Sequence, residues 1–225
     1  MIPPLKVRWL GRIRFDEALA LQEELVEMKR RDRASADHLL LLEHDPVYTM
    51  GRTPDRSSLP GEAILPHPLF PINRGGQATY HGPGKLIGYP ILDLRRYGQD
   101  LHRYLRWLET MLIDLLDRHG IGGARREGLT GVWVENRKIA SIGVGVRHWI
   151  SMHGFALNVS GDLSPFARII PCGIAGVEMT SMERETGRFI SVIDVAAQFE
   201  KMAVRQLADG RTGEAAALPI LADKL

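Results

Sequence analysis

The chain has 225 residues, 29 lysines and arginines against 27 aspartates and glutamates, a net charge of +2 and a single cysteine. That length fits one domain with a sizeable core, one cysteine forbids an internal disulfide, and 25% charged residues mark an ordinary folded protein rather than a disordered one. Near-balanced charge argues against a nucleic-acid partner, no apolar run is long enough to span a membrane, and Asp16, Glu17, Glu23, Glu24 and Glu27 rule against an N-terminal signal peptide. A disulfide-free chain of this kind is expected in the cytoplasm.

Residues 7–13 alternate as a strand, and residues 15–29 place Leu19, Leu21, Leu25 and Met28 among charges at near-helical spacing, which predicts a surface helix. Lys29, Arg30, Arg31 and Arg33 close that helix; Asp32 interrupts them, so they read as a solvated helix end rather than a phosphate patch. Residues 38–43, His-Leu-Leu-Leu-Leu-Glu, predict a buried strand closed by a turn at Asp45-Pro46. Residues 51–69, rich in Gly, Pro and Ser, read as a long loop, and residues 70–94 as strands punctuated by glycines.

A second amphipathic helix over residues 100–119 carries Leu101, Leu105, Leu108, Leu112, Leu115 and Leu116 and stops at Gly120. Residues 129–134, 138–146 and 149–159 are β-rich, the first two joined through Glu135-Asn136-Arg137. A short helical turn at 165–168, a glycine-rich stretch at 171–176 and a helix over 192–207 follow. The order predicts an α/β protein of α+β type, with a mixed, largely antiparallel sheet and packed helices. One catalytic domain is expected over 1–208, with a C-terminal tail over 209–225.

Two segments carry chemistry. Asn73-Arg74-Gly75-Gly76-Gln77-Ala78-Thr79-Tyr80-His81-Gly82-Pro83-Gly84 packs four glycines, an arginine, a histidine and two hydroxyls into twelve residues. Glycines let backbone approach a ligand closely and arginine offers a rigid fork of donors, so a ligand cradle and a pair of tight turns are the two readings. A Walker phosphate loop is excluded, because Gly84-Lys85 is followed by Leu86.

The second segment is Ile170-Pro171-Cys172-Gly173-Ile174, in which proline and glycine flank the cysteine as in a thiol presented on a loop. A lone cysteine is more often a small buried hydrophobe. As a nucleophile it needs a cation or base, and Lys138, His81, His153 and Arg74 are the candidates. Lys138 stands at the start of an apolar strand; a solvated hairpin-tip lysine is the competing reading.

Arg74-Gly75-Gly76 through Gly84, followed by Gly88-Tyr89-Pro90, resembles the signature of the lipoyl(octanoyl) transferases. Leu41 to Thr49, Gly128 to Val134 with Lys138 to Val144, and His153 to Val159 with Ile170 to Ile174 resemble further motifs of that family, in its order. The departures are Lys85, where the family often has Gln, and Ser141, where it often has Ala.

The resemblance implies the catalytic fold shared with biotin and lipoate protein ligases, and an acyltransferase of lipoate biosynthesis that needs neither cofactor nor metal. It implies transfer of octanoyl from octanoyl-acyl carrier protein to a lysine of lipoyl domains, those of 2-oxoacid dehydrogenase E2 subunits and the glycine cleavage H protein. Cys172 would be the acyl-thioester nucleophile and Lys138 the residue that activates it. Arg74, Gly75, Gly76, Gln77, Ala78, Thr79, Tyr80, His81, Ser141, Ile142, Gly143, Gly154, Phe155 and Ala156 would line the substrate site. Arg95, Arg96, Arg103 and Arg106 are a candidate docking face for an acidic carrier, with plain solvated helix surface the competing reading. The rivals are an ATP-dependent lipoate or biotin ligase, a Cys–His hydrolase using His81 or His153, and a non-enzymatic acyl-binding protein.

Overall fold

The apolar run at residues 38–43 becomes an inner strand covered on both faces, which explains why it lacks alternation. Leu39 and Leu41 face one hydrophobic core and Leu40 and Leu42 another. The structure, a computed structural model, describes residues 4–53, 57–59 and 65–209. Part of the predicted 51–69 loop and nearly all of the predicted tail therefore lie outside the described residues.

The main sheet contains β1 (Lys6–Ile13), β2 (His38–His44), β6 (Lys85–Ile91), β10 (Ile150–Asn158), β9 (Arg137–Arg147), β8 (Leu129–Val134) and β7 (Ala124–Arg126), in that spatial order. Only β1 with β2, and the two-residue β11 (Glu178–Met179) with β9, pair in parallel; every other neighbour is antiparallel. The mixed, largely antiparallel sheet is thus as expected. A second sheet, β3 (Val47–Met50) between β4 (Leu69–Pro71) and β5 (Ala78–His81), was not anticipated. Its strands are of three and four residues, too short to show periodicity.

Helix α1 (Phe15–Arg31) covers one face of the main sheet, while α2 (Leu101–Asp117) and α4 (Val192–Asp209) cover the other. The short α3 (Met182–Thr186) begins at a Ser181 cap. The buried stripe of α1 is Ala18, Gln22, Leu25, Val26 and Lys29, rotated from the leucine face that spacing suggested; Met28 is exposed. Its two polar members have partners, because the Gln22 side chain accepts from the His153 backbone N–H and Lys29 pairs with buried Asp37.

Candidate active site

Lys138 lies on β9 just past the β8–β9 turn, yet it is 1% exposed, so the solvated hairpin-tip reading fails. The room for its stem comes from Gly131 on β8. That residue has φ +126°, and a Cβ there would stand 2.8 Å from Lys138 Cε and 2.6 Å from the Ala140 carbonyl oxygen. The ammonium donates to the Thr130 carbonyl at 3.1 Å and to Cys172 Sγ at 3.2 Å. Among the described residues no carboxylate forms an ion pair with it. A buried ammonium without a carboxylate needs another counter-charge, and a thiolate supplies one.

Cys172 sits in a 3₁₀ turn over Pro171–Gly173 with φ 57° and ψ 18°, the left-handed region that non-glycine residues seldom enter and that recurs at functional sites. A Cβ on Gly173 would fall 2.4 Å from Gln77 Oε1, so the nucleophile turn packs directly on the Arg-Gly-Gly loop. The Ser141 hydroxyl lies 3.9 Å from Sγ.

Both residues line a cavity of about 360 Å³. Arg74, Gly75, Gly76, Gln77, Thr79, His81, Ser141, Ile142, Gly143, Gly154, Phe155 and Ala156 line it with them. Ala78 and Tyr80 do not. Successive side chains of β5 point to opposite sides, so Thr79 and His81 reach the cavity while Ala78 and Tyr80 enter a separate core with Tyr48 and Phe166.

Arg74 organises the loop rather than pairing with the thiol. Its buried guanidinium donates to the Thr49 carbonyl (3.0 Å) and hydroxyl (2.9 Å), and to the Gly75 and Gln77 carbonyls (both 2.9 Å). Burial holds it below the usual arginine range, with the Cys172 charge acting in the opposite sense. Gly143 is needed here, because a Cβ would stand 2.8 Å from Arg74 Cδ.

Several cavity-lining residues were not assigned to the site from the sequence, among them Thr130, Tyr89 and His153, the last weighed only as a base for the cysteine. His153 takes φ +56° within β10, and burial pushes its imidazole down to about 4. His81 is held well below the usual histidine range, chiefly by burial and then by His44 and Arg74. Both rings are neutral at neutral pH, and Sγ hydrogen-bonds to Lys138 and Ser141, not to a histidine. This geometry disfavours a Cys–His hydrolase dyad. The candidate docking arginines are largely committed within the chain: Arg95 to Asp93, Arg96 to Asp37 and Arg106 to Glu109.

A lysine-paired thiol lining a ligand-sized cavity, on a mixed sheet sandwiched by helices, is an arrangement suited to covalent chemistry at a cysteine. The family model described as the lipoyl protein ligase A/B catalytic domain matches residues 15–203, and the chain belongs to that family. It is 52% identical over 193 residues to an octanoyltransferase of Geobacter sulfurreducens, covering 86% of this chain and 80% of that one. It is 50% identical over 197 residues to an octanoyltransferase of Syntrophotalea carbinolica, covering 86% and 90%.

Among solved structures, the P. falciparum protein LipL1 in complex with lipoate superimposes with TM-score 0.67 at 11% identity, covering 96% of this chain and 64% of that one. The biotin protein ligase of Aquifex aeolicus gives TM-score 0.54 at 14% identity, covering 94% and 72%. These likenesses establish the lipoate and biotin protein ligase fold that the sequence motifs implied.

Proposed function

We propose that this protein is an octanoyltransferase that takes octanoyl from octanoyl-acyl carrier protein and delivers it to a lysine of lipoyl domains through an acyl-Cys172 intermediate. The observation that carries the reading is the 3.2 Å contact of the Lys138 ammonium with Cys172 Sγ at a cavity suited to an acyl chain. The acceptors are the lipoyl domains of 2-oxoacid dehydrogenase E2 subunits and the glycine cleavage H protein. Residues 1–208 act as one catalytic domain, and the free thiol suits the reducing cytoplasm.

In the first half-reaction the Cys172 thiolate attacks the donor thioester carbonyl. The tetrahedral intermediate expels the carrier's thiolate, which takes a proton from the Lys138 ammonium. In the second, the acceptor lysine's amine attacks acyl-Cys172, its excess proton passes to the now neutral Lys138, and Cys172 leaves as a thiolate paired again with the ammonium. One thioester is exchanged for another and then for an amide, so no ATP is needed. Arg74 to His81, less Ala78 and Tyr80, together with Ser141 to Gly143 and Gly154 to Ala156, form the walls. Gly143 and Gly154 let backbone N–H groups approach the developing oxyanion.

Intact mass after mixing with octanoyl-loaded carrier protein tests this directly. The wild type should gain one octanoyl group, and Cys172→Ser or Lys138→Ala should not. Absence of an adduct in wild type, or transfer from free octanoate with ATP and magnesium and no carrier, overturns the reading.

A further inference from the structure

Lys138 is fully buried, and its ammonium has two hydrogen-bond acceptors, the Thr130 carbonyl and Cys172 Sγ. A third contact belongs to neither. The ammonium lies 5.3 Å from the centre of the Trp133 ring, over its face. Trp133 is the cross-strand partner of Lys138 between β8 and β9, and an irregularity of register falls between Val132 and Trp133. Such an irregularity re-aims side chains locally. Trp133 is itself 1% exposed, and its indole N–H has no hydrogen-bond partner. Hydrogen bonding therefore gives no reason for an indole here, whereas the ring face has a cation on it.

We propose that Trp133 is a positioning residue for catalysis, its π face holding the Lys138 ammonium charged and aimed at the Cys172 sulfur. A ring quadrupole attracts a desolvated ammonium within about 6 Å of its centre, most strongly for Trp. With Lys138 1% exposed, the ring and the sulfur are the groups placed to perform that task. The other charged groups around the pair are Arg126, whose guanidinium lies over the Trp133 ring at 4.9 Å, and Glu109, whose carboxylate accepts from Gly131 N–H and pairs with Arg106 and Arg125. Arg74 lines the same cavity but is hydrogen-bonded to Thr49, Gly75 and Gln77 rather than to Cys172. Of these, only the Trp133 face touches the ammonium directly.

The inference rests on the Cys172–Lys138 reading above, and the test separates the two. The rate of Cys172 alkylation by iodoacetamide at pH 7 reports the thiolate without requiring acyl donor or acceptor. Lys138→Ala should slow it strongly; if it does not, the dyad reading fails. Given that slowing, Trp133→Leu should cut the rate about tenfold, equivalent to about 1.4 kcal/mol. Trp133→Phe, which keeps a π face, should recover most of the loss.

In the Lys138→Ala background, Trp133→Leu should have no further effect. A rate unchanged by Trp133→Leu, or lowered equally in both backgrounds, overturns the inference, since Trp133 would then be idle or merely structural. If Trp133→Leu does not fold, stepwise fluorination of an indole placed at position 133 keeps shape while draining the ring face. The alkylation rate should fall with each fluorine, and independence of fluorination overturns the inference.

Discussion

At the scale of single residues, the site depends on what is absent as much as on what is present. Gly131 has no side chain, and that vacancy holds the stem of Lys138. Gly131→Ala would place a methyl 2.6 Å from the Ala140 carbonyl oxygen and 2.8 Å from Lys138 Cε, at a φ of +126°. We expect a stability loss of ~1–3 kcal/mol and a fall in acyl-enzyme formation of about a hundredfold from the displaced ammonium, read by thermal melting and single-turnover acylation. Normal acylation in a folded variant would show that the stem tolerates displacement. Lys85 is the opposite case, a long charged side chain packed into the interior. It is buried over the rings of Tyr80 and Phe166, donates to the Asp162 carbonyl at 3.1 Å, and is pushed down by burial to about 8. The folded state therefore releases this proton before the unfolded state does, and stability rises with pH across that interval. Between pH 8 and 10.5, wild type should gain ~1–3 kcal/mol relative to Lys85→Met in urea melts. Parallel curves for the two proteins would refute the assignment.

Among the elements, long amphipathic segments and the apolar run at residues 38–43 were legible in the sequence, and the short second sheet was not. α2 was readable because Leu108, Leu112, Leu115 and Leu116 recur at helical spacing on one buried face, although Leu101 at its start is exposed. The stripe of α1 was misread because Gln22 and Lys29 occupy core positions, and polar residues count against burial until their partners are known. Those partners, the His153 backbone and Asp37, are distant in sequence. The strands over residues 70–94 were foreseen, but not that β4 and β5 join β3 in a separate sheet; strands of three or four residues carry no period, so the alternation that removes Ala78 and Tyr80 from the cavity was not legible. The contact of Lys138 with Cys172 was visible only as motif; nothing in local spacing brings residue 138 to residue 172. The element most exposed to a single change is α1. Asp37, wholly buried, accepts from Tyr97 Oη at 2.8 Å and the Asp93 backbone N–H at 3.0 Å, and forms ion pairs with Lys29 at 2.8 Å and Arg96 at 3.1 Å. It thereby ties the end of α1 to the turn before α2. Removing one partner of a buried pair strands the other, so Asp37→Ala should cost ~3–5 kcal/mol in chemical denaturation. A loss under ~1 kcal/mol would mean that Lys29 finds water instead.

For the molecule as a whole, the same burial that walls off the cavity makes the fold acid-sensitive. His44, His81 and His153 sit between the two sheets and α1, with His44 and His81 ring centroids 5.8 Å apart. His44 donates from Nδ1 to the Ile13 carbonyl and accepts at Nε2 from the Tyr89 hydroxyl, an arrangement that requires the neutral ring. Burial pushes His44 and His153 each down to about 4 from 6.5, and His81 lower in the same direction. As pH falls below 6.5, the unfolded chain binds protons that the folded chain refuses, so each ring withdraws stability progressively until pH 4. At full extent that is roughly 3 kcal/mol for each of His44 and His153, a large fraction of the stability of an ordinary domain. Wild type should therefore lose most of its urea resistance between pH 6.5 and 4.5. A His44→Gln, His153→Gln variant should show a shallower decline over the same interval, since the two glutamines have no proton to gain. Equal slopes in the two proteins would place the acid sensitivity in the carboxylates instead, through pairs such as Arg137 with Glu185, whose carboxyl is held below its usual range by that arginine.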